Sequence, residues 1–377
     1  MALQELPDYP WDLMTPFAAR AREAVPFGDD SGLVDLSIGS PVDATPDVIR
    51  DALAAATDAH AYPQTVGTPA LREAIVEWFE RRRGVPGLTI ENVLPTIGSK
   101  ELVALLPFML GLGDGDIVVH PRAAYPTYAI GATIAGATAV ASDDPAESPE
   151  GTRLIWLNSP GNPDGRILSV EELRAAVARA RELDAYIASD ECYAELGWDA
   201  PWDAERVPSI LDPRVIGEDR RKILAVYSLS KQSNLAGYRA AFVAGCRSIV
   251  SRLVNVRKHA GLMLPGPLQA AMVAALADDA HVEAQKARYR ARRDLLKPAL
   301  EAAGFRVDRS EGGLYLWATE GRDAWDSIGR LAVLGILAGP GHFYGDAYPQ
   351  HVRLSLTATD ERIDAAARRL RAFGDTL

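Results

Sequence analysis

Ser228-Leu229-Ser230-Lys231-Gln232-Ser233-Asn234-Leu235-Ala236-Gly237-Tyr238-Arg239 sets hydroxyls, one lysine and, eight positions on, an arginine directly after the apolar run 222–227. That run predicts a strand, and residues 239–244 predict another. A lysine that forms an imine must be partly deprotonated, which burial and neighbouring positive charge achieve. An aldehyde that also carries a phosphate needs hydroxyl and guanidinium donors close by, and Ser228, Ser230 and Arg239 are of that kind. Alone, Ser-x-Ser-Lys reads as a solvated turn. The rest of the chain decides between the two.

Upstream, short apolar runs at 92–97, 117–120, 153–158 and 186–189 alternate with helical patterns, as in a parallel sheet joined by crossover helices. Ser169 and Glu172 form a capping-box signature opening a helix over 170–183. The polar motifs fall just beyond predicted strand ends, where open α/β sheets place ligands. After Pro267 a long helical pattern, 269–303, precedes strand-like segments at 313–318, 335–338 and 351–356, which predicts a smaller α+β domain. The expected division is an N-terminal segment (1–44) packing with the small domain, a large domain (45–267) and a small C-terminal domain (268–377).

Composition excludes several classes. With 377 residues, 48% hydrophobic and 24% charged, the chain can bury one large core and a smaller one. A net charge of −11, with arginines interspersed among acids, argues against a nucleic-acid partner. Cys192 and Cys246 lack zinc-type spacing, and the histidines are scattered, so neither a disulfide framework nor a metal is expected. Two buried thiols in a reducing, cytoplasmic setting are expected instead. The N-terminus has no basic region leading into an apolar run, so no secretory signal is read there. The uncharged stretches 123–142 and 259–277 are interrupted by Pro126, Pro265 and Pro267 and read as buried globular segments rather than membrane spans. Gly111-Leu112-Gly113-Asp114-Gly115 precedes a strand and reads as a tight turn.

Two motifs change the reading of Lys231. Asn162-Pro163-Asp164-Gly165 follows one predicted strand and Asp190-Glu191-Cys192-Tyr193 the next. Singly, the first is a turn and the second a strand end with a capping acid. Together with Lys231 they meet three needs of one ring: Asp190 as anion for a protonated pyridine nitrogen, Asn162 and Tyr193 as holders of its phenolic oxygen.

With these motifs in this order, nearly the whole chain resembles the fold-type I enzymes of pyridoxal 5'-phosphate (PLP), and specifically the class I/II aminotransferases. The resemblance implies a large domain with a mostly parallel mixed sheet flanked by helices plus a smaller α+β domain. It implies that Lys231 binds the PLP aldehyde, that Asp190 pairs with the ring nitrogen, and that Asn162 and Tyr193 bond the phenolic oxygen. Gly98-Ser99-Lys100 matches the phosphate loop, consistent with anion binding at a helix N-terminus. Tyr125 matches the aromatic that stacks on the ring. Arg353, in Val-Arg-Leu-Ser, matches the arginine that grips the substrate α-carboxylate, and Gly39 a glycine whose backbone approaches that carboxylate. Tyr62 resembles the tyrosine that reaches the phosphate of a neighbouring subunit, which implies a homodimer. The family's two-half reaction follows: the donor's nitrogen passes to the cofactor, and a keto acid then takes it.

The substrate is read from a closer resemblance. Pro10-Trp11-Asp12, residues 36–43 (LSIGSPVD), 94–101 (LPTIGSKE), 189–193 (SDECY), 256–263 (VRKHAGLM), 313–319 (GLYLWAT) and 356–360 (LTATD) look like actinobacterial N-succinyldiaminopimelate aminotransferases. Such a substrate has carboxylates far from the reacting carbon, for which Lys100, Arg257 and Lys258 are candidate donors; His259 adjoins the last two. The rival readings are another aminotransferase of the class (aspartate, alanine or aromatic), a C–S lyase, and a PLP-binding regulatory domain. The last usually has an added DNA-binding domain, for which this chain offers neither length nor a basic patch.

Overall fold

The computed structural model describes residues 6, 10–24 and 32–375. Its centre is a seven-stranded sheet in the order Val93–Ile97, Ala240–Gly245, Ile223–Ser228, Tyr186–Asp190, Thr152–Asn158, Ile117–His120 and Thr138–Ala141. Ala240–Gly245 runs antiparallel to both neighbours, and the remaining pairs are parallel. The strands read as continuous apolar runs because both faces of the sheet are covered. Alternate residues serve alternate faces: Leu154, Trp156, Leu224 and Val226 pack into one cluster with Leu102, Tyr128 and Leu253. Ile155, Leu157, Ala225 and Tyr227 pack into another with Trp78, Leu173 and Met272.

A second, antiparallel sheet runs Gly339–Pro340, His351–Ser355, Tyr315–Thr319, Arg306–Asp308. Beside it, Val34–Asp35 pairs in parallel with Ile336–Leu337. One apolar cluster joins Met14, Val34 and Leu36 to residues between Tyr289 and Leu370. Arg292 fixes that union, bonding Asp43 and Asp360 at 2.6 Å each.

The capping box appears as expected: the Ser169 hydroxyl accepts from Glu172 N, and the Glu172 carboxylate from Ser169 N. The single long helix expected over 269–303 is instead two, Gly266–Ala277 and Asp279–Ala302. Asp278 leaves helical geometry between them and caps the second by accepting from Ala280 N at 2.9 Å. The apolar pattern runs through this break, which hid it. The strand Thr138–Ala141 falls inside the uncharged stretch 123–142, together with the helix Thr127–Ala135. No helix among the described residues is long and apolar enough to cross a membrane. Both cysteines are buried free thiols.

Candidate active site

Asn158, Asp190 and Ser228 end three strands of the large sheet, the first two directly paired in register. Ile97 pairs with Ala240 at the same sheet edge, which brings Gly98 and Arg239 beside them. A cavity of about 660 Å³ opens there, lined by residues from this edge together with Gly39, Tyr315, Tyr344 and Arg353. Ser99, Lys100, Tyr125, Asn162, Asp190, Tyr193, Ser228, Ser230, Lys231, Arg239, Gly39 and Arg353, all expected from the sequence, line this one cavity. Tyr62 does not; its side chain is 93% exposed.

One end of the cavity gathers donors of the kind an anion needs. Gly98 has φ +77 and precedes the helix Ser99–Met109, whose first turn no side chain caps. An added Cβ on Gly98 would lie 2.1 Å from Arg239 Nη2, so the glycine permits the guanidinium to reach the helix N-terminus. Ser228 Oγ donates to Ser230 Oγ at 2.8 Å and accepts from Ser230 N, while Arg239 Nη1 donates to Ala236 O at 2.6 Å.

The middle holds a buried acid. Asp190 Oδ2 accepts from the Tyr128 hydroxyl at 3.0 Å and Oδ1 from Cys192 N at 3.2 Å. Burial pushes the Asp190 carboxyl above its usual range, although the bonds from Cys192 and Tyr128 oppose this. Burial and the nearby Asp190 raise the Tyr128 hydroxyl well above the phenol range, so it stays a donor. Asn158 braces the strand ends, its side chain donating to Asp190 O at 2.9 Å and accepting from Asn162 N at 2.8 Å. Tyr125 forms a wall beside Lys100, whose Nζ is 5.8 Å from the ring centroid; burial pushes the Tyr125 hydroxyl up to about 12.

At the other end Lys231 Nζ donates to Gly39 O. Arg353 is buried, with Nη1 donating to Asn162 Oδ1 at 3.0 Å and Nη2 to Ser37 O at 2.7 Å. Its guanidinium lies 3.9 Å from the Tyr315 ring centroid and 4.8 Å from that of Tyr344. Burial opposes the Arg353 charge, but Tyr344, Tyr315 and Tyr193 outweigh burial and raise its pKa. Its Nε has no hydrogen-bond partner among the described residues.

Sequence reasoning missed Tyr128, Asn158, Tyr315 and Tyr344. Tyr128 lies three residues after Tyr125, at the second position of the helix Thr127–Ala135. Tyr315 becomes visible only through strand register: Trp317 pairs with Arg353, which puts Tyr315 diagonally opposite on the same face. Of the candidate donors for a distant carboxylate, Arg257 is excluded. It is fully buried and bonded to Glu101 at 2.7 Å. Lys258 and His259 are exposed and do not line the cavity; Lys100 does.

These residues fit PLP. The cradle at Gly98 and Arg239 suits a phosphate. Asp190, destabilised by burial, would gain from a protonated ring nitrogen. Lys231 lines the same cavity as that acid and a buried arginine whose Nε meets no partner among the described residues.

Comparison with known proteins agrees. The chain matches the family described as aminotransferase class I and II over residues 31–370. It is 55% identical to the 4-dedimethylamino-4-oxo-anhydrotetracycline transaminase OxyQ of Streptomyces rimosus, over 98% of this chain and 100% of that protein. It is 32% identical to an LL-diaminopimelate aminotransferase of Gloeobacter violaceus, over 99% of this chain and 97% of that one. Among solved structures, a single mutant of Thermus thermophilus aspartate aminotransferase superposes with a TM-score of 0.85 at 27% identity, covering 98% of each chain. The chain therefore belongs to the class I and II aminotransferases, enzymes that depend on PLP.

Proposed function

We propose that this aminotransferase carries nitrogen between N-succinyl-LL-2,6-diaminopimelate and 2-oxoglutarate, giving N-succinyl-2-amino-6-ketopimelate and glutamate, reversibly. The observation that carries the catalytic reading is the convergence of Lys231, Asp190 and Arg353 on one cavity. When bound, PLP supplies an aldehyde for the amine and a ring that takes up the electrons left when the α-proton departs. Lys231 would hold that aldehyde and, once released by the substrate amine, move the proton from the substrate α-carbon. Asp190 keeps a proton on the ring nitrogen, with Tyr128 and Cys192 N orienting the carboxylate. Asn162 and Tyr193 hold the phenolic oxygen, and Tyr125 covers the ring. Ser99, Lys100, Ser228, Ser230 and Arg239 hold the phosphate, and Tyr62 of a second copy completes that site. Arg353 clasps the α-carboxylate through parallel donors, beside the Gly39 backbone. In this reading the large PLP-binding domain is 45–267, the small C-terminal domain is 268–377, and the N-terminal segment 1–44 packs with the small domain.

The succinyldiaminopimelate assignment draws support from the sequence resemblance and from relatives that act on LL-diaminopimelate. A second reading has its own support. OxyQ, the relative at 55% identity, is named for a polycyclic ketone, and apolar side chains of Trp11, Ile38 and Phe343 line this cavity. There the acceptor is a fused-ring ketone rather than a polycarboxylate.

Single half-reactions separate these readings. Glutamate and N-succinyl-LL-diaminopimelate are each offered alone to the PLP-loaded protein, and loss of the cofactor's visible absorbance is followed. Conversion by both supports the first reading. Conversion by glutamate alone, with re-oxidation by a polycyclic ketone, supports the second.

A further inference from the structure

Tyr315 occupies a position that no step above uses. It is buried in the cavity wall and touches three groups of the site. Its hydroxyl lies 3.3 Å from the Tyr193 hydroxyl, with the two rings edge to face at 74°. Its face lies under the Arg353 guanidinium at 3.9 Å. Its hydroxyl is also tucked against Gly39: a Cβ there would fall 2.1 Å from Tyr315 Oη and 2.8 Å from Cε1. Gly39 thus makes room for this tyrosine, and the Gly39 carbonyl accepts from Lys231.

We propose that Tyr315 is a positioning residue with two separable parts: its hydroxyl donates to Tyr193 and strengthens Tyr193's bond to the cofactor oxygen, and its ring fixes the plane of Arg353. This rests on the aminotransferase site described above. Tyr193 has one proton, so if it donates to the cofactor its oxygen must accept from Tyr315. Hydrogen bonds in such a chain polarise one another. The ring's negative face beneath a desolvated guanidinium holds that group against rotation, which matters for bidentate recognition.

Electrostatics support the arrangement. Burial opposes ionisation of Tyr315, but Arg353, Lys231 and the bond with Tyr193 outweigh it and hold its hydroxyl below the phenol range. Burial and the neighbouring Tyr315 raise the Tyr193 hydroxyl well above the phenol range, so Tyr193 keeps a proton to donate. The other groups facing it are Cys192 and Tyr193, with Tyr125 and Tyr289 farther off and Tyr344 across Arg353.

Two variants of the PLP-loaded, full-length protein separate the two parts. The cofactor's visible absorbance is titrated against pH, and the affinity for succinate, an unreactive dicarboxylate, is read from the change it causes. Removing the Tyr315 hydroxyl leaves more negative charge on the cofactor oxygen, which then holds the proton shared with the Lys231 nitrogen more tightly. Tyr315→Phe should raise the titration midpoint by roughly half a pH unit and leave succinate affinity within about twofold. Tyr315→Leu should weaken succinate binding about tenfold. An unmoved midpoint in Tyr315→Phe overturns the first part, and unchanged succinate affinity in Tyr315→Leu overturns the second. If the leucine variant does not fold, a tenfold weaker succinate complex in the phenylalanine variant overturns the separation. If the wild-type protein shows no pH-dependent band that Lys231→Ala abolishes, the aminotransferase site itself is refuted, and this role with it.

Discussion

Tyr128 donates its hydroxyl proton to Asp190 Oδ2 across 3.0 Å, and both side chains are buried. The tyrosine cannot neutralise the acid; it only orients it. No salt bridge reaches Asp190 among the described residues, unlike the neighbouring Glu191, which Arg83 meets at 3.1 Å. Two adjacent buried carboxylates thus differ: among the described residues Glu191 meets a cation and Asp190 meets none.

Asp190 should therefore destabilise the PLP-free protein. Its folded-state pKa is raised above the unfolded value, so the stability it contributes is complete below the ordinary carboxylate range. That stability is lost as pH rises through the folded pKa. Asp190→Asn should make the PLP-free protein more stable near neutrality by about 1–3 kcal/mol, with the advantage shrinking toward pH ~4. Denaturant unfolding of both proteins across that range reads the difference. In the loaded enzyme the same variant should lower kcat at least ~100-fold.

Arg353→Lys keeps a positive charge but not two parallel donors. The KM for the amino donor should rise roughly 10- to 100-fold, with a smaller change in kcat, because the contact exists before the chemical step. Steady-state kinetics with glutamate measures the split.

Gly98→Ala places a methyl where the Arg239 guanidinium now lies, at a φ of +77. Backbone strain and displacement of the arginine act together. PLP affinity should fall by about tenfold or more, read by fluorescence titration of the PLP-free protein, while a distant surface substitution leaves it unchanged.

The Arg83–Glu191 pair is almost completely buried on both sides, and Glu191 also accepts from Ser209 Oγ at 3.1 Å and Ile210 N at 2.7 Å. Burial still pushes Glu191 upward, against Arg83 and these bonds. Arg83→Ala leaves that acid unpaired and should destabilise the protein by about 3–5 kcal/mol. Urea unfolding at pH 7 provides the measurement, and Arg83→Met with Glu191→Gln should recover part of the loss.

The large sheet was legible because its strands are buried on both faces and punctuated by turns, so 153–158 and 186–189 were located within a residue of Thr152–Asn158 and Tyr186–Asp190. Short edge pairings were not. Val34–Asp35 and Gly339–Pro340 each span two residues, too few to show a period. Within the site, the residues with distinctive chemistry stood out, as Lys231, Asp190 and Arg353 did. Tyr128 and Tyr315 did not, because an aromatic in an apolar run looks like core until a partner is known. Arg257 misled for the converse reason: its charge made it a candidate donor for a distant carboxylate, yet the helix Arg247–Ala260 turns it inward onto Glu101.

The bond from Arg353 to Ser37 O joins positions 316 apart in the chain. The side chains assigned to the phosphate within one copy all lie between 99 and 239. During synthesis the residues proposed to hold the phosphate therefore all emerge before Arg353, the proposed carboxylate clasp, which also bonds Ser37 O near the other end of the chain. A truncation just before Arg353 would keep every one of those side chains while deleting the guanidinium proposed to grip substrate, together with the buried Leu354, Leu356, Ile363 and Leu370 of the smaller core.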